Sequence, residues 1–153
     1  MIRLYVASLA VAAIISAGGG AFAADGMIVV DSEGTVAETA DRLEALIEEG
    51  PPTLVARVDH QANAASVGAD IAPSVVLIFG NPAAGTPIVA ASPKAGLDLP
   101  VRVLIWEDDG ATRIGYLDPA ELTARYGVEG ADEAIENMGE AIAGLVERAA
   151  AAQ

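Results

Sequence analysis

Between residues 27 and 150 the spacing of apolar positions changes several times, and each change predicts an element. Met27 to Asp31 (MIVVD) is a short apolar run suited to a first strand. Thr35-x-x-Glu38 then supplies a capping box, and Val36, Ala40, Leu43, Leu46 and Ile47 fall on one helical face, away from most of Glu38, Asp41, Arg42, Glu44, Glu48 and Glu49. Gly50-Pro51-Pro52 ends that helix. Thr53 to Asp59 alternates Leu54, Ala56 and Val58 with Val55, Arg57 and Asp59, the period of a strand with two unlike sides. Asp59 starts a short helix that stops near Gly68, and Val75 to Phe79 is a buried strand. Asn81-Pro82 and Thr86-Pro87 each place a capping side chain before a proline, so the helix here is expected to be short, Ile88 to Ala91. Leu99 to Glu107 is a long strand. Asp109-Gly110 is a two-residue hairpin signal leading into Ala111 to Leu117. Asp118-Pro119-x-Glu121 caps a short helix ending at Gly127. In the last element, Asp132 to Ala150, Ile135, Met138, Ile142, Leu145 and Ala149 form an amphipathic stripe. Strand, helix, several strands and helix in that order predict an α+β fold: an antiparallel sheet with helices packed on one face.

The hairpin sorts the side chains. A two-residue turn at 109 and 110 pairs Trp106 with Arg113, Ile105 with Ile114, Val103 with Tyr116 and Arg102 with Leu117. Val103, Ile105, Ile114 and Tyr116 then face the helices, and Arg102, Leu104, Trp106, Arg113 and Leu117 face away. Arg57 is expected on that second face too, which gathers arginines around the single tryptophan of the chain. Three readings of this surface stand side by side. It binds an anionic or aromatic small ligand, with Arg57, Arg102 and Arg113 as donors and Trp106 as a stacking platform. Alternatively, Trp106 and Arg113 form a cross-strand cation–π pair while the arginines neutralise Asp59, Glu107 and Asp108. In the third, Leu104, Trp106 and Leu117 are the apolar centre of an isologous dimer with arginines at its rim.

The ends and the composition narrow the setting. Arg3, the apolar run Leu4 to Ile15 and the small-residue triplet Ala21-Phe22-Ala23 have the order of a secretory signal peptide, residues 1–23, cleaved after Ala23. The run breaks at Ser16 and three glycines, short of the roughly 20 apolar residues a membrane span needs. The expectation is a periplasmic or secreted protein with no stable membrane insertion after cleavage, and one domain over residues 24–153, a size that supports a single core. The chain has no cysteine, so packing alone must hold it and thiolate chemistry is excluded. Its 8 basic residues stand against 22 acidic ones, a net charge of −14. Such a surface repels phosphate backbones and anionic headgroups, which argues against nucleic acid and membrane partners.

Motifs for catalysis are sparse. His60 is the single histidine, so a metal site would need Asp59, Glu107 or Asp108 brought to it by the fold. Ser66, Ser74 and Ser92 lack a nucleophile-elbow context. GNPAAGTP fits neither a P-loop nor a dinucleotide fingerprint and reads as turn chemistry. No cofactor is implied, and a non-enzymatic role is expected. The candidate ligand-binding residues are Arg57, Asp59, His60, Arg102, Trp106, Glu107 and Arg113.

Taken together, LVARVDHQANAASVG (54–68), VVLIFGNPAAGTPIVAASPKAGLDLPVRVLIWEDD (75–109) and IGYLDPAELTARYGV (114–128) resemble the DUF302 family of bacterial proteins of unknown function. The linked blocks are Asp59-His60, Phe79-Gly80-Asn81-Pro82, Gly85-Thr86-Pro87, Asp98-Leu99-Pro100 and Trp106-Glu107-Asp108; Ile88-Val89 stands where family members usually have leucine-methionine. The resemblance implies a compact α+β domain similar to the TATA-binding-protein-like fold, with helices against one side of a curved antiparallel sheet, and implies homodimers. It brings no activity, and the acidity of the chain argues against carrying over DNA binding from the fold. On this reading the motif residues mainly build the domain, and an unidentified small ligand or a metal ion on the uncovered sheet face remains the alternative to a second copy.

Overall fold

The computed structural model of the protein describes residues 21–22 and 26–151. The secretory segment 1–23 therefore lies, except for residues 21 and 22, outside the described residues. The strands are β1 (Ala21–Phe22), β2 (Met27–Ser32), β3 (Thr53–Asp59), β4 (Ser74–Gly80), β5 (Val101–Asp108) and β6 (Ala111–Leu117). The helices are α1 (Val36–Glu48), α2 (His60–Ser66), α3 (Pro82–Ala91), α4 (Glu121–Tyr126) and α5 (Asp132–Ala150). All strand pairs are antiparallel, in the order β1-β2-β6-β5-β4-β3. This is the α+β architecture that the element order predicts, with helices on one side of an open antiparallel sheet.

The hairpin forms as its sequence requires. Asp109 and Gly110 both take positive φ, 49° and 79°, the backbone of a type I′ turn whose twist suits the flanking strands. Trp106 faces Arg113, Ile105 faces Ile114 and Val103 faces Tyr116. Alternation then sends Val103, Ile105, Ile114 and Tyr116 into the core beside Val75, Leu77 and Phe79 of β4. α1 covers these residues with Val36, Ala40, Leu43 and Ile47, and α5 with Ile135, Met138, Ile142 and Val146.

Local chemistry fixes the helix ends. The Thr35 hydroxyl accepts from the Glu38 amide while the Glu38 carboxylate accepts from the Thr35 amide at 2.9 Å, satisfying two orphan donors of α1. Those bonds to Thr35 hold the Glu38 carboxyl below its ordinary pKa. At the same end of the helix layer the Arg42 guanidinium donates to the Ala149 carbonyl at 2.8 Å. A cation there meets the negative end of the α5 dipole. The Glu33 amide reaches the Ala150 carbonyl at 2.9 Å, and the last turn of α5 is thereby tied to the end of β2.

Two expectations need correction. The helix after Asn81 is one continuous element from Pro82 to Ala91 with Pro87 inside it, not a short helix beginning at Ile88. Pro87 lacks the amide that would reach the Ala83 carbonyl. Both residues are exposed, so solvent can serve that carbonyl. Arg57 also sits on the opposite face from the one expected. A bulge between Leu54 and Ala56 inserts Val55 into β3 and shifts the register, so that Arg57 pairs with Leu77 and lies on the helix side. One extra residue reverses the alternation that follows it.

The turn gives a direct stability test. A Cβ at Gly110 meets nothing within 4 Å, so Gly110→Val carries only the backbone cost of a β-branched residue at positive φ, about 1–2 kcal/mol. Urea unfolding is expected to show a lower midpoint with an unchanged slope; an unchanged midpoint would contradict the turn.

Candidate functional site

Two surfaces have the character of a site, and they lie on opposite sides of the sheet. The first is the face that none of the described helices covers. Its centre is apolar: Val76 and Ile78 of β4 pair with Leu104 and Arg102 of β5, and Leu104 in turn lies opposite Gly115 of β6. Trp106 leans along β6 onto Gly115, which is buried beneath it. A Cβ at 115 would stand 3.1 Å from the indole Cζ3, 3.2 Å from the Ile28 carbonyl oxygen and 3.2 Å from the Met27 Sδ. Glycine is thus what lets the indole lie flat on the strand, with a methionine sulfur beside it.

The arginines of this face are already engaged. Arg113 pairs with Asp31 across the strands, and its Nε lies 3.7 Å from Asp108. Arg102 donates to Asp98 Oδ1 at 2.5 Å. Asp98 also accepts from the Tyr126 hydroxyl at 2.6 Å, and Arg125 stands 3.7 Å away. This carboxylate is 11 % exposed and ties the start of β5 to the end of α4. The hydrogen bond to Asp98 holds the Tyr126 phenol above its ordinary pKa. Arg57, on the helix side, bonds Asp41 at 2.6 Å and Glu44 at 2.8 Å, and those two bonds raise its pKa further. The expected trio of free guanidinium donors is therefore two paired arginines at the ends of the open face and a third bound to α1.

The remaining sequence candidates separate. The Asp59 carboxylate caps α2 by accepting from the Ala62 amide at 2.8 Å, and His60 is the exposed first residue of that helix. Glu107 and Asp108 are exposed at the hairpin end of β5, where the Glu107 amide donates to the Pro73 carbonyl at 3.0 Å. Among the described residues no three His, Asp or Glu side chains converge to hold a metal ion.

The second surface was invisible to sequence reasoning. A groove of about 1170 Å³ opens between the end of α1, α3 and α5, with Phe79, Met138 and Ile142 at its floor. The motif residues Gly80, Asn81, Pro82, Gly85, Thr86 and Pro100 line it. The block expected to build the fold thus also shapes a concave apolar surface. Gly80 is needed for the approach of Pro100, whose Cβ would lie 3.1 Å from a Cβ at position 80. Trp106 stands five residues along β5 from Val101, about 17 Å away at strand rise, so the two surfaces do not share residues at their centres. The one local signal for the groove was α3 itself, which is apolar except for Thr86 yet buries only Ile88.

Two measurements follow. Gly115→Ala forces the indole outward, because the Ile28 carbonyl belongs to the backbone and cannot yield. The expected result is a red-shifted Trp106 emission and a loss of about 1–3 kcal/mol from overpacking; unchanged emission would refute the stacked indole. Asp98→Asn removes the partner that keeps the Tyr126 phenol protonated. Ultraviolet titration is expected to show its ionisation moving down toward the ordinary value of about 10. A raised folded-state pKa stabilises the fold fully below the unfolded value, and the contribution is lost as pH climbs through the folded one. The variant should therefore show a weaker alkaline loss of stability than the parent. Tyr116, raised mainly by burial and further by Asp118 and Glu147, acts in the same sense in both proteins.

Comparison with known proteins matches these features to a family. The model of the family described as "Domain of unknown function DUF302" matches residues 28–145, which include every strand from β3 to β6 and most of both surfaces, though not Met27 or Arg148. The crystal structure of an uncharacterized conserved DUF302 protein from Bacillus stearothermophilus superposes with a TM-score of 0.74 over 82% of this chain and 99% of that one, at 21% sequence identity; this likeness establishes the fold. Two curated relatives, both called Fluoride-specific ion channel FluC 1, come from Brucella suis biovar 1 (strain 1330) and Brucella abortus biovar 1 (strain 9-941). Each is 38% identical over 115 residues, 74% of this chain, and the match spans 45% and 43% of their respective lengths. The chain thus spans less than half the length of these relatives. With the family match extending over most of its length and the same fold in a solved member, the chain belongs to the DUF302 family.

Proposed function

We propose that this DUF302 domain is exported and acts without catalysis as an association module, joining two copies of the chain through the uncovered sheet face. The observation that carries the reading is the distribution of charge on that face. Its centre is Val76, Ile78, Leu104 and Trp106, while Arg102 and Arg113 at its ends are each neutralised by a carboxylate of the same chain. An apolar centre with a polar, charge-paired rim is the composition of a protein interface, and a two-fold axis would place the same patch on both sides. Two copies that each carry a net charge of −14 repel at long range, so contact is favoured where charge is lowest. In the rival reading an anionic ligand on the same face would compete with Asp31 or Asp98 for an arginine, whereas an aromatic one would need only the Trp106 indole.

Export is supported by the order of Arg3, the apolar run and Ala21-Phe22-Ala23. Cleavage after Ala23 would remove β1, whose two residues pair only with Val29 and Ile28 at the sheet edge, and would leave the other five strands intact. The fluoride specificity in the names of the two relatives is not carried over. No helix among the described residues is long and apolar enough to cross a membrane. What those relatives contribute is that DUF302 sequence occurs within longer chains, which accords with an association module.

Light scattering at high protein concentration tests the proposal. The parent is expected to have twice the monomer mass, and Leu104→Glu, which buries a charge in the interface, the monomer mass. A monomeric parent would overturn it, as would a variant that stays dimeric. For export, protein recovered from the periplasmic fraction or the medium of a bacterial host is expected to begin at Ala24; a product still carrying Met1 would contradict cleavage.

A further inference from the structure

We propose that the groove between α1, α3 and α5 binds an amphiphile with an apolar chain and a cationic head. The groove is a preformed hollow rather than a packing defect. It is bounded by Pro52, Pro82 and Pro100, whose fixed backbones hold its rim, and it is widened where side chains are missing. A Cβ at Gly85 or Gly144 meets nothing within 4 Å. Its volume of about 1170 Å³ is somewhat above the usual span of small-molecule sites, roughly 300 to 1,000 Å³, and leaves room for an extended chain. α3 supplies a wall of Ala84, Val89 and Ala90, of which the first two are half-buried and the third exposed among the described residues.

The lining determines the chemistry of the occupant. Most of the lining is apolar, with Thr53, Asn81 and Thr86 its uncharged polar side chains, and the Asn81 side chain is already engaged in capping α3. Recognition must come from removing apolar surface from water, at about 25 cal/mol per Å², and this favours a hydrocarbon chain. The charged residues of the lining are Glu49, Glu140 and Arg148. All three are exposed, and none forms one of the ion pairs that engage the other surface arginines. Two carboxylates against one guanidinium, on a chain of net charge −14, attract a cationic head and repel a carboxylate or phosphate one. The site is independent of the sheet-face pairing, because its lining and the Trp106 face lie on opposite sides of the sheet.

Calorimetric titration of the full chain tests this with two probes that share one chain length, dodecyltrimethylammonium and dodecanoate, both below their micelle concentrations. The expected result is one equivalent of dodecyltrimethylammonium bound, about tenfold or more tighter than dodecanoate. At Gly144, which lines the groove, an added Cβ meets nothing within 4 Å, and leucine improves helix propensity, so Gly144→Leu is expected to fold, to narrow the hollow and to lose the binding. Arg148→Gln is expected to strengthen it, and Glu49→Gln with Glu140→Gln to weaken it. Equal affinity for the two probes would overturn the cationic head. Binding retained in Gly144→Leu would overturn the site, since attraction to acidic surface alone survives that substitution. Absence of binding by the parent would overturn the proposal outright.

Discussion

The turn at Asp109 and Gly110 decides which side of the sheet every neighbouring residue meets. Side chains in a strand alternate with a period of two, so a slip of one residue would carry the whole apolar set of β5 and β6 to the other face. Two consecutive positive φ angles allow one register, and that register turns Ile105 and Ile114 inward and Leu104, Trp106 and Gly115 outward. β4 is then paired to β5 and β2 to β6, so both inherit the choice made at the hairpin.

The consequence is a domain with more apolar surface than its helices cover. α1 and α5 shield one face of the sheet, and the opposite face relies on the packing of its own residues, with Trp106 filling the space over Gly115. The helix layer is itself incomplete, because α3 has ten residues and buries only Ile88, and a groove remains where a longer helix would have packed. The high negative charge keeps such a molecule dispersed, while the arginines are spent on specific tasks. Arg42 closes the end of α5, Arg57 joins β3 to α1, and Arg102, Arg113 and Arg125 serve carboxylates beside the open face and α4.

Much of the fold was legible because its signals are local. Thr35 with Glu38, Asn81 before Pro82, Asp59 before His60 and Asp109 before Gly110 each carry within four residues the chemistry that starts or reverses an element. The misplacement of Arg57 has a different cause. Nothing in TLVARVD marks Val55 as a bulge, because the insertion is defined by what β4 places opposite it. Pro87 misled in a similar way: a proline after threonine reads as a helix start, but the helix had already been nucleated at Asn81 and the lost bond faces solvent. The candidate face was half legible. Its residues were sorted correctly by the hairpin, whereas the pairing of Arg113 with Asp31 and of Arg102 with Asp98 depends on contacts between elements. Of the groove only α3 left a local trace, being mostly apolar yet little buried; its other walls come from α1, α5 and the strand ends, and no short stretch of sequence contains it.

The proposed pairing stands on a sheet face that is apolar at its centre and uncovered by the helices of the described residues. Quenching of Trp106 fluorescence by acrylamide across a wide range of protein concentration tests this most directly, since the chain holds no other tryptophan. Ready quenching in dilute solution that falls as concentration rises is the expected result. Quenching that is the same at every concentration would contradict it.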